Sequence, residues 1–231
     1  MNELTTELKQ LLYDRGASLV GCADLSAVAH SHWKCGISIA MPFDANLIQE
    51  IVDGPNEAYF HAYHEMERKL SEIALEGEAF LLEQGYRAYA QTSQRVREDA
   101  QWRTELPHKT VATHAGLGWI GKSCLLVTAE YGSAVRLSSI LTDAPLVCDT
   151  PILRTQCKGC RSCVDACPAG ALTGISWEVG TDRDAMLRKE ACADKQVELT
   201  RRNTGRTSEF LCGKCFAICP FTQRYIRSSR S

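Results

Sequence analysis

The chain has 231 residues, 45% of them hydrophobic, which is enough to bury a full core and to divide between one medium domain and a small one. Lysine and arginine total 26 against 28 aspartates and glutamates, so the formal net charge of −2 supplies no global attraction to nucleic acid or to a membrane surface. No apolar run approaches the ~20 residues of a spanning helix, which excludes an integral helical membrane protein.

In chain order, Leu4, Leu8, Leu11 and Leu12 recur at helical spacing before Gly16, predicting a first helix. The N-terminal stretch MNELTTELKQLLYDRG is charged and amphipathic, without the apolar core of a signal peptide. Residues 18–23 and the largely apolar run 34–41 read as strands, the second ended by Pro42. A long helix is expected over residues 57–84, weakly interrupted at Gly77 and stopped by Gly85. Residues 86–90 form a short strand, and Pro107 can open a helix to about Ala115, because its missing N–H costs nothing at the first helical position. Residues 124–129 and 133–141 are β-rich runs about a turn at Tyr131-Gly132 and suggest a hairpin. Helices flanking hairpin-paired strands argue for an α+β sandwich. The proline-containing stretch 143–153 is the natural crossing to a second domain, giving domains at 1–150 and 151–231.

The second domain is dominated by cysteines. Cys157-x-x-Cys160-x-x-Cys163-x-x-x-Cys167-Pro168 is answered by Cys192 and by Cys212-x-x-Cys215-x-x-x-Cys219-Pro220. Structural zinc sites favour paired Cys-x-x-Cys, and a secreted disulfide framework wants a signal peptide. Three evenly spaced cysteines followed by Cys-Pro are instead the pattern of bacterial ferredoxins, where the fourth cysteine ligates the other of two [4Fe-4S] clusters. The spacing therefore predicts one cluster on Cys157, Cys160, Cys163 and Cys219, and a second on Cys192, Cys212, Cys215 and Cys167. Such thiols point to a reducing compartment, so a cytoplasmic location is expected. Cys22, Cys35, Cys124 and Cys148 lie in apolar surroundings and read as small core residues.

Residues 108–122 read HKTVATHAGLGWIGK. Gly116, Gly118 and Gly121 make a backbone that a large ligand can approach closely. The segment contains G-x-G-x-x-G, but it follows a helix-like stretch and no acidic residue closes a βαβ unit behind it, so a dinucleotide-binding reading is set aside.

AGLGWIGK, then Tyr131-Gly132-Ser133, Leu141-Thr142-Asp143-Ala144-Pro145-Leu146 and the two-cluster block with its single Cys192 together resemble the epoxyqueuosine reductase family. Its cofactor plan is shared with reductive dehalogenases. The resemblance implies a nitroreductase-like, cobalamin-binding type of α+β domain followed by a ferredoxin-like domain with two [4Fe-4S] clusters. It implies cobalamin as a cofactor, held against the loop of Gly116, Leu117, Gly118, Trp119, Gly121 and Lys122. The sequence has no Asp-x-His-x-x-Gly element, so that cobalamin is expected base-off without a histidine ligand, or held otherwise. Family members hold tRNA with a helical-repeat domain beyond the clusters, whereas this sequence stops at Ser231, so tRNA ranks last among the expected partners.

No catalytic residue is assigned by the sequence. Candidates for a proton source are His108, Lys109, His114, Asp99, Glu98 and Tyr89. His61 and His64 share a helix face but read as a solvated or packed face. The arginines at 201, 202, 206, 224, 227 and 230 could guide an acidic electron donor such as ferredoxin or flavodoxin or, ranked below that, touch RNA phosphates. The expected function is thus an iron–sulfur oxidoreductase that passes electrons through two clusters to cobalamin and a reducible substrate in the N-terminal domain. The alternative is a non-catalytic electron-transfer or corrinoid-reactivating partner protein.

Overall fold

The computed structural model describes residues 2–29 and 31–230. Its elements run α1 (Glu3–Asp14), β1 (Leu19–Asp24), β2 (Cys35–Pro42), α2 (Ala45–Glu50), α3 (Glu57–Glu83), β3 (Ala88–Ala90), α4 (His108–His114), β4 (Trp119–Ile120), β5 (Leu126–Val127) and β6 (Val135–Thr142). Then follow α5 (Ser162–Asp165), α6 (Arg183–Met186), α7 (Lys189–Thr204), α8 (Lys214–Ala217) and α9 (Pro220–Ser228). This is the expected mixture of helix and sheet. Among the described residues, no helix is long and apolar enough to cross a membrane.

Two compact units emerge, neither continuous in sequence. The first comprises Met1–Met41, Glu65–Gly118 and Arg136–Ile152; the second comprises Pro42–His64, Trp119–Val135 and Leu153–Ser231.

The first unit is built on a four-stranded sheet in the order β1-β2-β6-β3. β1 and β2 pair antiparallel with Cys22 opposite Ile37, and β3 pairs antiparallel with β6 with Tyr89 opposite Leu141. Leu8 and Leu12 of α1 and Leu70, Ile73 and Leu81 of α3 bury against Ile37, Ile39 and Ile140. Asn2 caps α1 by accepting from the Thr5 N–H, and Gly16 leaves the helix at φ +104°, a conformation natural to glycine. Gly77 does not interrupt α3; a Cβ there would come within 2.5 Å of Ile140 Cδ1, so glycine lets the helix approach the sheet. α4 begins after Pro107, within a residue of the expected position.

The expected hairpin is corrected. β5 pairs with β4, with Trp119 opposite Val127, while β6 runs between β2 and β3. Only the isolated bridge Thr128–Gly132 spans the Tyr131-Gly132 turn among the described residues. The cause is burial: Ser138 through Thr142 are all buried, which suits a central strand with neighbours on both sides. Cys124 is buried as expected but sits in a turn at φ +60°, not in a strand.

Candidate metal centre

In the second unit, the three-residue spacing of the first cysteines produces a tight loop. The Cys160 N–H donates to the Cys157 carbonyl at 2.9 Å, and Lys158 between them adopts a left-handed φ of +46°. Cys163 lies on the single turn α5, and Cys167 follows it immediately. The second motif is assembled in a similar way. Gly213 enters α8 at φ +82°, placing Cys215 on that turn, and Cys219 caps α9 with Pro220 at the helix start. Cys192 stands on the first turns of α7.

Cys157, Cys160 and Cys163 line one cavity together with Cys219, Pro220 and Phe221, and with Gly121, Lys122, Ser123 and Val127. That cavity of about 60 Å³ is several times the ~10–15 Å³ that one water requires, so the thiols surround space and do not pack on one another. Burial, reinforced by Cys157, Cys219 and Cys160, pushes the Cys163 thiol up to about 11. Burial also pushes Cys215 up, and Cys212, Cys192, Cys163 and Cys167 add to the shift. Cys192 is raised by burial and by Cys167 and Cys124, against a 3.3 Å hydrogen bond from Gln196 Nε2. The Cys167 sulfur accepts from the Ala171 N–H at 3.3 Å. The cavity thus draws its sulfurs from both cysteine motifs, and a soft all-thiol donor set of this kind suits iron–sulfur clusters.

The glycine loop supports the first group. Lys122 is only 7% exposed, and its ammonium donates to the carbonyls of Lys158 at 2.7 Å and Cys160 at 3.1 Å. A Cβ on Gly121 would come within 2.7 Å of Val127 and 3.6 Å of the Cys157 sulfur, so a side chain there would crowd the cavity wall. Trp119 packs edge-on against Phe221 at 5.0 Å between ring centroids. The Tyr131-Gly132-Ser133 turn grips the same helix: the Ser133 N–H donates to Thr222 Oγ1 at 3.0 Å, and Tyr131 meets Tyr225 edge-on. Gly118 is buried as well, while Gly116 and Leu117 are half-buried in the first unit. Gly116 adopts φ +71°, and a Cβ there would come within 2.6 Å of the Thr150 carbonyl.

The candidate proton sources are dispersed. His108 on α4 is the most strongly perturbed: burial, with Arg136 adding to it, lowers its imidazole to about 4. Its Nδ1 lies 2.7 Å from Ser139 Oγ, and that oxygen accepts a hydrogen bond from Gln91 Nε2 at 2.7 Å. Neither partner was apparent from the sequence, because three separate segments supply the three groups. His114 is lowered by burial despite Asp24 nearby. Asp99 accepts from the N–H groups of Gln101 and Arg103, and Tyr89 lies under Arg95. His64 lies 3.3 Å from Glu209, and both side chains remain partly exposed. Phe221, Ser123 and Val127 carried no sequence signal as parts of the cavity wall.

Residues 156–222 match the family described as the 4Fe-4S double cluster binding domain. An epoxyqueuosine reductase from Pseudomonas aeruginosa is 30% identical over 190 residues, covering 79% of this chain and 49% of its own. The chain is thus similar in sequence to the epoxyqueuosine reductases. It spans at most about half the length of the curated relatives it matches. The fold of these reductases extends to nearly all of it. An epoxyqueuosine reductase solved with an epoxyqueuosine-modified tRNA-Tyr stem loop superposes with a TM-score of 0.64 at 21% identity, covering 96% of this chain and 66% of its own. A reductive dehalogenase whose structure suggests a mechanism for B12-dependent dehalogenation gives 0.70 at 19% identity, covering 96% and 33%. The chain therefore carries the α+β fold common to both.

Proposed function

We propose that the chain is an iron–sulfur oxidoreductase in which two [4Fe-4S] clusters carry electrons toward cobalamin and a reducible substrate in the first unit. The observation that carries this reading is the convergence of Cys157, Cys160, Cys163 and Cys219 on one cavity, with the Gly121–Lys122 backbone as its wall. When bound, clusters of this type supply one-electron transfer at low potential. The chain's own part is to hold the ligand loop, to shield the thiols by burial and to fix Cys219 through α9. The second cluster is assigned to Cys192, Cys212, Cys215 and Cys167. Exposed Arg201, Arg202, Arg224 and Arg227 favour an acidic donor of the ferredoxin or flavodoxin class, in a reducing compartment such as the cytoplasm.

Cobalamin is supported by the shared fold with the B12-dependent dehalogenase. Of the loop proposed to meet it, Gly118, Trp119, Gly121 and Lys122 are buried, and Gly116 and Leu117 retain partial exposure. That burial favours, as a second reading, an electron-transfer or corrinoid-reactivating partner. Anaerobic reconstitution followed by cobalamin titration separates them. Retained corrinoid with a changed spectrum supports the reductase. About eight irons per chain with no corrinoid retained overturns its cobalamin form and supports the partner. An iron content near zero overturns both.

A further inference from the structure

Lys122 is a charge in an unusual place. Its side chain is buried, its ammonium reaches two backbone carbonyls of the cysteine loop, and among the described residues no carboxylate pairs with it. Burying an ammonium costs several kcal/mol unless an opposite charge or a full set of acceptors compensates it. Two carbonyls satisfy two of its three N–H groups and neutralise none of its charge. Lys122 also lines the cavity of Cys157, Cys160, Cys163 and Cys219, so the group missing from its surroundings is an anion on the cavity side. Four thiolates around an iron–sulfur core form such an anion.

We propose that Lys122 is the buried counter-charge of the cluster held by Cys157, Cys160, Cys163 and Cys219. It fixes the ligand loop through the Lys158 and Cys160 carbonyls and raises that cluster's reduction potential. The inference rests on the two-cluster reading above and deepens it. It gives Lys122 a positioning and tuning role toward iron and sulfur. The physical basis is that reduction adds a negative charge to the cluster, which a fixed positive charge nearby stabilises; net charge and hydrogen bonding are among the established determinants of cluster potential.

The test is anaerobic redox titration of the full reconstituted chain, followed by electron paramagnetic resonance, comparing the parent with Lys122→Met and Lys122→Gln. The cluster in question is identified as the one whose signal disappears in Cys219→Ser. Removing the charge is expected to lower the reduced-to-oxidised ratio of that cluster about tenfold at a fixed applied potential, equivalent to 59 mV for a one-electron couple. The other cluster is expected to move by much less. Lys122→Gln retains donors for the carbonyls without the charge, so it keeps the test decisive if Lys122→Met fails to hold iron. An unmoved potential in a variant that holds about eight irons overturns the counter-charge, as does an equal shift of both clusters. If the parent itself holds no iron, the two-cluster reading has failed instead.

Discussion

The imidazole of His108 and the hydroxyl of Ser139 lie 2.7 Å apart, joining α4 to β6, one of the two inner strands of the sheet. Ser139 Oγ accepts from Gln91, so its own proton is free to go to Nδ1 of a neutral His108. Burial holds the imidazole at about 4, below its ordinary 6.5, so the folded chain binds fewer protons than the unfolded chain between those values. The contribution of His108 is therefore complete above about 6.5 and is lost as the pH falls toward 4, an effect of at most about 3 kcal/mol. Urea unfolding at stepped pH is expected to show this decline in the parent and a flatter profile in His108→Gln.

Cysteine substitutions should sort by cavity and not by neighbourhood in sequence. Cys157→Ser and Cys219→Ser, at opposite ends of the cysteine segment, are expected to remove the same paramagnetic signal and lower the iron content from about eight to about four. Cys167→Ser is expected to remove the other signal, although Cys167 adjoins the first motif. Iron analysis and electron paramagnetic resonance check this, and loss of the same signal in Cys163→Ser and Cys167→Ser would contradict it.

Gly132 is expected to tolerate no side chain. It sits at φ +59°, and a Cβ would fall 2.1 Å from the Thr222 nitrogen, a backbone atom that cannot swing aside. Gly132→Ala should destabilise the second unit by at least about 2 kcal/mol, from overpacking added to left-handed strain. Thermal unfolding of the reconstituted chain measures it. Gly85, also at positive φ but with nothing near the added carbon, should suffer from strain alone and lose less.

Asp149 ties a helix to a strand. It accepts from Lys9 Nζ at 2.7 Å and from the Cys22 N–H at 2.7 Å. Burial pulls the Lys9 ammonium down, but the Asp149 hydrogen bond and nearby charges leave it raised above 10.5. Its contribution is thus fully present below about 10.5 and is lost as the pH rises through the higher folded value. Asp149→Ala is expected to cost about 1–3 kcal/mol near neutral pH, read by denaturant unfolding, because it strands a half-buried ammonium and a backbone donor.

What could be read from the sequence followed the range of the forces involved. α3 ends one residue from its expected boundary, because helical hydrogen bonds, apolar spacing and the Gly85 stop are all local. β6 was found as a strand but given the wrong partner, since its neighbours β2 and β3 are chosen by packing between distant segments. The cysteine loop was legible because its spacing is itself the geometry. Lys122 was singled out together with the glycines, but nothing in the sequence said that its ammonium would turn to the Lys158 and Cys160 carbonyls. The His108–Ser139–Gln91 contact left no trace in any one segment.

The proposed sharing of sulfurs between the two cysteine motifs has a consequence for biogenesis. If Cys219 completes the first set, and Cys212 and Cys215 the second, a nascent chain paused after Cys167 would hold neither site entire. Iron delivered at that point would meet three adjacent thiols and no fourth donor from the distal motif. Maturation would then be confined to the interval after Cys219 has left the ribosome and α9 has settled against the Tyr131-Gly132-Ser133 turn, so α9 would act as the checkpoint for metallation.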